Sequence, residues 1–202
     1  MTRVKFCGFT RTEDVTCAVS LGVDALGFVF YAKSPRAVSC EQASVLCRHV
    51  PAFVTRVGLF VNAEADTVQT TFSACGLNLV QYHGDESPEF CDRIGLPYIR
   101  AIRMKSDVDV VQEMARFPRA SGFLLDAYQA GVPGGTGERF DWGRIPVTER
   151  PVILAGGLTP ENATDAITQV EPWALDVSGG IEAAPGQKDP DKMARFMAAL
   201  QR

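Results

Sequence analysis

Residues 151–181 read PVILAGGLTPENATDAITQVEPWALDVSGGI. Two short apolar runs in this segment, Pro151–Leu154 and Ala174–Val177, enclose a stretch of helical period, Pro160–Gln169, and a Gly-Gly pair follows each run. Such near-continuous apolar runs are typical of strands in a parallel sheet that is covered by helices. The segment therefore predicts one strand–helix–strand unit with a glycine-rich loop after each strand.

The same alternation runs through the whole chain. Apolar runs predict strands at Val4–Cys7, Ala25–Phe30, Thr55–Val61, Leu79–Tyr82, Pro97–Ile102, Gly122–Asp126, Pro151–Leu154 and Ala174–Val177. Helical stretches follow at Thr12–Leu21, Glu41–Val50, Ala63–Ser73, Pro88–Ile94, Val108–Phe117, Asp141–Ile145, Pro160–Gln169 and Pro190–Leu200. This pattern predicts an α/β fold, a single-domain (β/α)8 TIM barrel over residues 1–202, although such barrels typically take ~250 residues. A doubly wound open sheet is the alternative, but it usually has fewer strands at this length.

Two of the helical stretches begin with a clear capping signal. Thr159 and Asp189 each precede a proline, which is favoured at the first helical position behind a capping side chain. The stretch Asp141–Ile145 is the weakest, because Pro146 ends it after barely one turn.

The composition excludes several classes of protein. Hydrophobic residues make up 46% and charged residues 22%, which argues against intrinsic disorder. A net charge of −4 disfavours nucleic acid as a partner, because phosphate binding needs a basic face. No apolar run approaches the ~20 residues that cross a bilayer, and the amino end lacks a secretory core. We therefore expect a cytoplasmic protein with neither a nucleic-acid nor a membrane partner.

The cysteines are widely spaced and include no Cys-x-x-Cys pair; they are Cys7, Cys17, Cys40, Cys47, Cys75 and Cys91. Only two histidines, His49 and His83, accompany them, so the chain offers almost nothing from which to build a zinc cluster. We interpret the cysteines as reduced thiols, mostly packed as small hydrophobic residues, and we expect no metal site.

The active site of a (β/α)8 barrel lies at the carboxyl ends of its strands. At the end of the first strand, the two-residue period places Lys5 and Cys7 on one face, toward the barrel interior. A thiol whose pKa is lowered toward neutrality can act as a general base, whereas an unactivated thiol simply packs. An inward Lys5 needs a carboxylate partner, because an unpaired buried ammonium is costly.

Other strand ends also carry polar groups. Asp126 ends an apolar strand, where a raised pKa would let it donate a proton, although capping a turn is its ordinary role. Arg36 offers donors to a carboxylate or phosphate, or it is a solvated surface residue. His83 either contacts a ligand or shapes the mouth. The glycine-rich stretch Gly131–Gly137 is either a lid or a flexible connection.

The two Gly-Gly pairs predict a phosphate site. They follow the seventh and eighth strands, at Gly156–Gly157 and Gly179–Gly180, where barrels of this kind often bind phosphate through backbone N–H groups and a short helix. One such pair is weak evidence, but two at both expected strand ends are moderately specific.

The strand-end motifs occur in an order that runs from the first strand to the last helix. They are KFCG (5–8), GFVF (27–30), KSPR (33–36), QYHG (81–84), LD (125–126), GGTG (134–137), FDW (140–142), LAGGL (154–158), DVS (176–178), GIE (180–182) and PGQKD (185–189). Together they resemble the phosphoribosylanthranilate isomerase family of tryptophan biosynthesis. Each motif is ordinary alone, but the full set in this order is highly specific.

The resemblance implies a cofactor-free aldose–ketose isomerase that acts on a small phosphosugar. We expect the protein to be a monomer or a homodimer. Its reaction would be the Amadori rearrangement of N-(5-phosphoribosyl)anthranilate to 1-(2-carboxyphenylamino)-1-deoxyribulose 5-phosphate. Asp126 would be the general acid that opens the sugar ring, and Cys7 the general base that removes the C2 proton. Arg36 would contact the anthranilate carboxylate. The substrate-binding residues would be Arg36, His83, Gly156, Gly157, Asp176, Ser178 and Gly179.

Two departures and two rival interpretations qualify the resemblance. The family usually has Ser where this chain has Gly179, and Leu where it has Tyr82. The related sugar isomerase of histidine biosynthesis has Asp in place of Cys7 and needs a second phosphate site. A non-catalytic phosphosugar-binding barrel would keep the glycine-rich loops but would not need Cys7 and Asp126.

Overall fold

The computed structural model describes residues 2–127 and 141–200. Eight parallel strands form a closed barrel in chain order, and β8 pairs with β1. The strands are β1 Arg3–Cys7, β2 Ala25–Val29, β3 Thr55–Phe60, β4 Leu79–Tyr82, β5 Tyr98–Arg103, β6 Phe123–Asp126, β7 Val152–Leu154 and β8 Ala174–Val177. The barrel prediction is confirmed, and the pairing of the first strand with the last excludes the open sheet.

Helices follow the strands on the outside of the barrel. They are α1 Thr12–Ser20, α2 Cys40–Cys47, α3 Ala65–Cys75, α4 Pro88–Ile94, α5 Val110–Ala115, α6 Ala163–Val170 and α7 Pro190–Ala199. The weak sixth stretch is only a 3-10 helix, Trp142–Arg144, and a second 3-10 helix, Gly179–Ile181, follows β8. No helix within residues 2–127 and 141–200 is long and apolar enough to cross a membrane.

A short antiparallel hairpin was not predicted from the sequence. Its strands, β9 Glu182–Ala184 and β10 Gln187–Lys188, lie between the second 3-10 helix and α7. The predicted cap of α7 is confirmed, since the Asp189 side chain accepts from the backbone N–H groups of Asp191 and Lys192, at 3.0 Å each. The hairpin and the cap together carry the chain from the barrel mouth into the last helix.

The predicted cap of α6 is wrong. This helix begins at Ala163, not Pro160, and Thr159 does not cap it. The reason is the Asn162 side chain, which accepts from Thr159 N at 2.9 Å and donates to Gly157 O at 2.7 Å. These bonds satisfy the loop backbone before the helix starts, and they hold the loop after β7 close to the barrel.

The strands separate two packing regions, the layer between the strands and the outer helices, and the interior of the barrel. Phe6 of β1 points outward and packs edge-on against Phe196 of α7, with ring centroids 5.9 Å apart. Its neighbours Lys5 and Cys7 therefore face the barrel interior, as the two-residue period predicts. A small apolar cluster fills the barrel interior on the side of β5 to β8. Its buried members are Ile99, Ala101, Leu124, Ile153, Ala155 and Ala174.

Candidate active site

Lys5 and Cys7 lie at the carboxyl end of β1. The Lys5 Nζ atom donates to Asp176 Oδ1 of β8 at 2.9 Å, and both side chains are buried. The carboxylate that an inward Lys5 requires is therefore Asp176. Room for the thiol comes from Gly27 of β2, where a Cβ atom would lie 2.6 Å from Cys7 Sγ.

The surroundings of Cys7 do not lower the pKa of its thiol, which is what a general base at this position would need. Burial raises the pKa of the Cys7 thiol above its ordinary value, and the nearby Lys5 ammonium opposes that rise. For Lys5 itself, burial alone would lower the pKa, but the charges of Asp176 and Cys7 together raise it. Lys5 therefore remains a permanent cation beside a thiol that is costly to ionise.

Asp126 ends β6 on another side of the mouth, and its carboxylate does not cap a turn among the described residues. Its Oδ2 atom lies 3.3 Å from His83 Nε2, and both side chains are largely buried. The other ring nitrogen, Nδ1, lies 2.9 Å from Gln81 Nε2. His83 thus lies at the mouth beside Asp126. Gln81 is a residue that the sequence interpretation did not assign, although its two-residue spacing from His83 places both on one face.

Arg36 is held, not solvated. Its Nε and Nη2 atoms donate to the two carboxylate oxygens of Glu182 at 2.8 and 2.7 Å. The side chain crosses Gly8, where a Cβ atom would lie 2.5 Å from Arg36 Cδ and where φ is +85°. Glycine is therefore required at this position for the arginine to reach the mouth.

The loops after β7 and β8 approach each other closely, since a Cβ atom at Gly180 would clash with the backbone oxygen of Leu158. Gly156 has φ +82°, and a Cβ atom there would lie 2.9 Å from Asp126 Oδ1, so a side chain would crowd the carboxylate. Ser178 Oγ donates to the backbone oxygen of Cys7 at 2.9 Å. The 3-10 helix that begins at Gly179 is the short helix expected after the eighth strand.

The stretch Gly131–Gly137, interpreted as a lid or a connection, lies outside the described residues. Within the described residues, no group of three or more His, Cys, Asp or Glu side chains could hold a metal ion. Two further charged residues close to the mouth, Glu182 and Lys188, were quoted in the resemblance but were given no role. Their long separation in sequence from Arg36 and Cys7 hides their proximity to those residues in space.

The fold and these side chains define the class of the protein, a (β/α)8-barrel enzyme with ionisable side chains at its mouth. The family model described as "N-(5'phosphoribosyl)anthranilate (PRA) isomerase" matches residues 4–199. The chain belongs to this family of isomerases of tryptophan biosynthesis, so the resemblance is confirmed. The match to this family excludes both rival interpretations, the histidine-pathway isomerase and the non-catalytic barrel.

Individual relatives agree with the family model. The N-(5'-phosphoribosyl)anthranilate isomerase of Nitrosococcus oceani is 56% identical over 200 residues, which cover 98% of this chain and 97% of that protein. The crystal structure of the Thermus thermophilus phosphoribosyl anthranilate isomerase aligns with a TM-score of 0.88 at 36% identity, covering 98% of each chain. A third structure holds reduced 1-(o-carboxyphenylamino)-1-deoxyribulose 5-phosphate and aligns with a TM-score of 0.82 at 39% identity, again over 98% of each chain.

Proposed function

We propose that this chain catalyses the Amadori rearrangement of N-(5-phosphoribosyl)anthranilate to 1-(2-carboxyphenylamino)-1-deoxyribulose 5-phosphate by general acid–base catalysis. The observation that carries the proposal is the placement of the Cys7 thiol and the Asp126 carboxyl at the ends of β1 and β6, both opening on one mouth. The reaction needs one acid and one base. The residues proposed for these roles come from one chain, and we propose that the enzyme is a monomer or a homodimer.

Asp126 is the proposed acid. It protonates the furanose ring oxygen, the bond between that oxygen and C1 breaks, and the amine lone pair forms a protonated Schiff base. Asp126 is left as a carboxylate facing His83 Nε2 at 3.3 Å. A proton on Nε2 would then donate to the new negative charge. Such a bond strengthens as the charge develops, which is the kind of interaction that lowers a reaction barrier.

Cys7 is the proposed base. Its thiolate removes the C2 proton, and the electrons of the C–H bond neutralise the Schiff base to give an enolamine that tautomerises to the ketone. Burial opposes formation of the thiolate, but Lys5 favours it, and the cationic Schiff base would favour it further during the reaction. Asp176 contributes through Lys5, because the pair keeps the ammonium in place beneath the thiol.

The remaining residues are proposed to bind the two ends of the substrate. Arg36 would take the anthranilate carboxylate. The backbone N–H groups of Gly156, Gly157, Ser178 and Gly179 would take the phosphate, a use of loop and helix-start amides that suits an anion. The Ser178 hydroxyl already donates to Cys7 O, so its amide is the group offered to phosphate. Replacement of a usual serine by Gly179 leaves this backbone amide unchanged.

We further propose that residues 1–202 form one catalytic domain that works in the cytoplasm. All six cysteines are free in the structure, which suits a reducing compartment.

The test is turnover of freshly generated N-(5-phosphoribosyl)anthranilate, followed by the loss of its fluorescence. We expect wild-type turnover, and losses of about 10²–10⁴-fold for Cys7→Ala and for Asp126→Asn. Asp126→Asn should still bind the reduced product analogue. Cys17→Ala is the matched control, because Cys17 lies on α1 away from the mouth. An inert wild type would overturn the substrate assignment, and full activity of Asp126→Asn would overturn the acid.

A further inference from the structure

A buried cluster of charges lies beside the acid and base and is not used by the reaction steps above. Its centre is Glu182, the first residue of β9, whose side chain is 5% exposed. Glu182 Oε1 accepts from Arg36 Nε and from Lys188 Nζ, each at 2.8 Å, and Oε2 accepts from Arg36 Nη2 at 2.7 Å. One carboxylate therefore binds two cations, with a formal charge of +1 for the three side chains.

Lys188 connects this cluster to the catalytic strands. Its ammonium group is fully buried and donates to Glu182, to the backbone oxygen of Cys7 at 2.6 Å and to that of Ser178 at 3.3 Å. These contacts use all three donors of the ammonium. The carboxyl ends of β1 and β8 are thus fixed to the same carboxylate that holds Arg36.

The bonds to Glu182 also determine what Arg36 can offer a ligand. A guanidinium group has five N–H donors in one plane, and Glu182 occupies the edge formed by Nε and Nη2. Among the described residues, Nη1 makes no hydrogen bond. The side chain is 13% exposed, so the donors that remain available are few and have a fixed direction.

We propose that Glu182 is a positioning residue that makes the enzyme specific for a substrate with a carboxylate on its aromatic ring. It does so by holding the plane of Arg36, and Lys188 holds Glu182 in register with Cys7 and Ser178. The inference rests on the proposed function, since it assigns Arg36 to that carboxylate.

The charges of the cluster support this role over a purely structural one. Burial alone would raise the pKa of Glu182, but Arg36 and Lys188 together hold it below its ordinary value, so Glu182 is ionised. Two cations and one anion leave a positive charge that an anionic ring substituent can neutralise. Without Glu182, Arg36 and Lys188 would repel each other and Arg36 would be free to change rotamer.

The experiment compares two probes on folded protein. One is reduced 1-(o-carboxyphenylamino)-1-deoxyribulose 5-phosphate, and the other is the same molecule without the carboxyl group. We expect Glu182→Gln to weaken binding of the carboxylated probe about 10- to 100-fold, as for loss of one partner of a buried charge pair. Binding of the probe without the carboxyl group should change less than about threefold, because phosphate and sugar contacts are intact.

Two variants complete the test. Lys192→Met is the matched control. Within residues 2–127 and 141–200, Lys192 Nζ donates only to the backbone oxygen of Glu182, so this variant should leave both affinities unchanged. Arg36→Met should abolish the preference for the carboxylated probe, and adding Glu182→Gln to it should cause no further loss. This non-additivity separates positioning from a general effect on the fold.

The outcomes are distinct. Equal weakening of both probes by Glu182→Gln, or an unchanged preference, overturns the positioning role. A wild type that binds both probes equally overturns the assignment of Arg36, whereas only a wild type that does not turn over the substrate overturns the proposed function. If Glu182→Gln does not fold, Glu182→Asp replaces it, because it keeps the charge and shortens the reach of the side chain. Loss of the preference for the carboxylated probe in Glu182→Asp then supports the positioning role, and an unchanged preference overturns it.

Discussion

The described part of the chain contains two buried glutamate–arginine pairs whose shortest N–O distances are nearly equal. Arg100 Nη1 lies 2.8 Å from Glu86 Oε2, and Arg36 Nη2 lies 2.7 Å from Glu182 Oε2. Their surroundings differ. Arg100 stacks on Phe117, with its guanidinium carbon 4.9 Å from the ring centroid, and faces the helical layer, whereas Arg36 opens on the mouth.

The partners of the two carboxylates explain the difference. Glu86 also accepts the backbone N–H groups of Asn62 and Gly84, at 2.7 and 2.9 Å, and Arg100 donates to Gly84 O. That pair closes the loops after β3 and β4. Glu182 is bound chiefly by cations and orients one of them. The Glu86–Arg100 pair is therefore bound mainly to the backbone of two loops and has a structural role, whereas Arg36 keeps donors beside the proposed ligand site.

The largest expected effect comes from breaking the structural pair. Arg100→Met leaves Glu86 buried without its cation, which should cost about 3–5 kcal/mol of unfolding free energy and lower Tm by about 6–20 °C. KM of the folded enzyme should stay near the wild-type value. Arg36→Met should do the reverse, raising KM with a smaller change in Tm. Thermal melts and steady-state kinetics measure both, and a raised KM in Arg100→Met would contradict the distinction.

A further buried pair, Lys5–Asp176, is expected to affect how activity depends on pH. Lys5 opposes the rise that burial causes in the pKa of Cys7, so Lys5→Met should raise that pKa further and leave the unpaired Asp176 to add to the effect. The thiolate then forms only at higher pH. The rise of activity with pH, and of iodoacetamide labelling at Cys7, should both shift to the alkaline side. Labelling curves that coincide for wild type and Lys5→Met would refute this.

The smallest effect is expected for an exposed pair. Glu113 and Arg116 on the outside of α5 lie 2.6 Å apart, but more than half of the Arg116 side chain is accessible to water. Glu113→Gln should change the unfolding free energy by about 0.5 kcal/mol or less and leave kinetics unaltered. Chemical denaturation supplies the measurement, and it gives the baseline against which the two buried pairs are judged.

The strand ends at Cys7, Asp126 and Tyr82 were predicted at the residue, because a buried parallel strand has a continuous apolar run that stops where the backbone turns. The α6 cap was not. Thr159 and Pro160 carry the local signal for a helix start, but the Asn162 side chain bonds to the loop on both sides and delays the helix to Ala163. Local propensity was outweighed there by hydrogen bonds that the loop needed.

The sequence by itself determined the barrel and the residues at its mouth, since hydrophobic period and glycine position act over a few neighbours. It could not determine which charges pair. Lys5 and Asp176 are 171 positions apart, and Arg36 and Glu182 are 146 apart. Only closure of the barrel between β1 and β8 brings such residues within hydrogen-bond distance. The tertiary structure therefore decided that Asp176 supports Lys5 and that Glu182 holds Arg36, because pairing depends on separation in space.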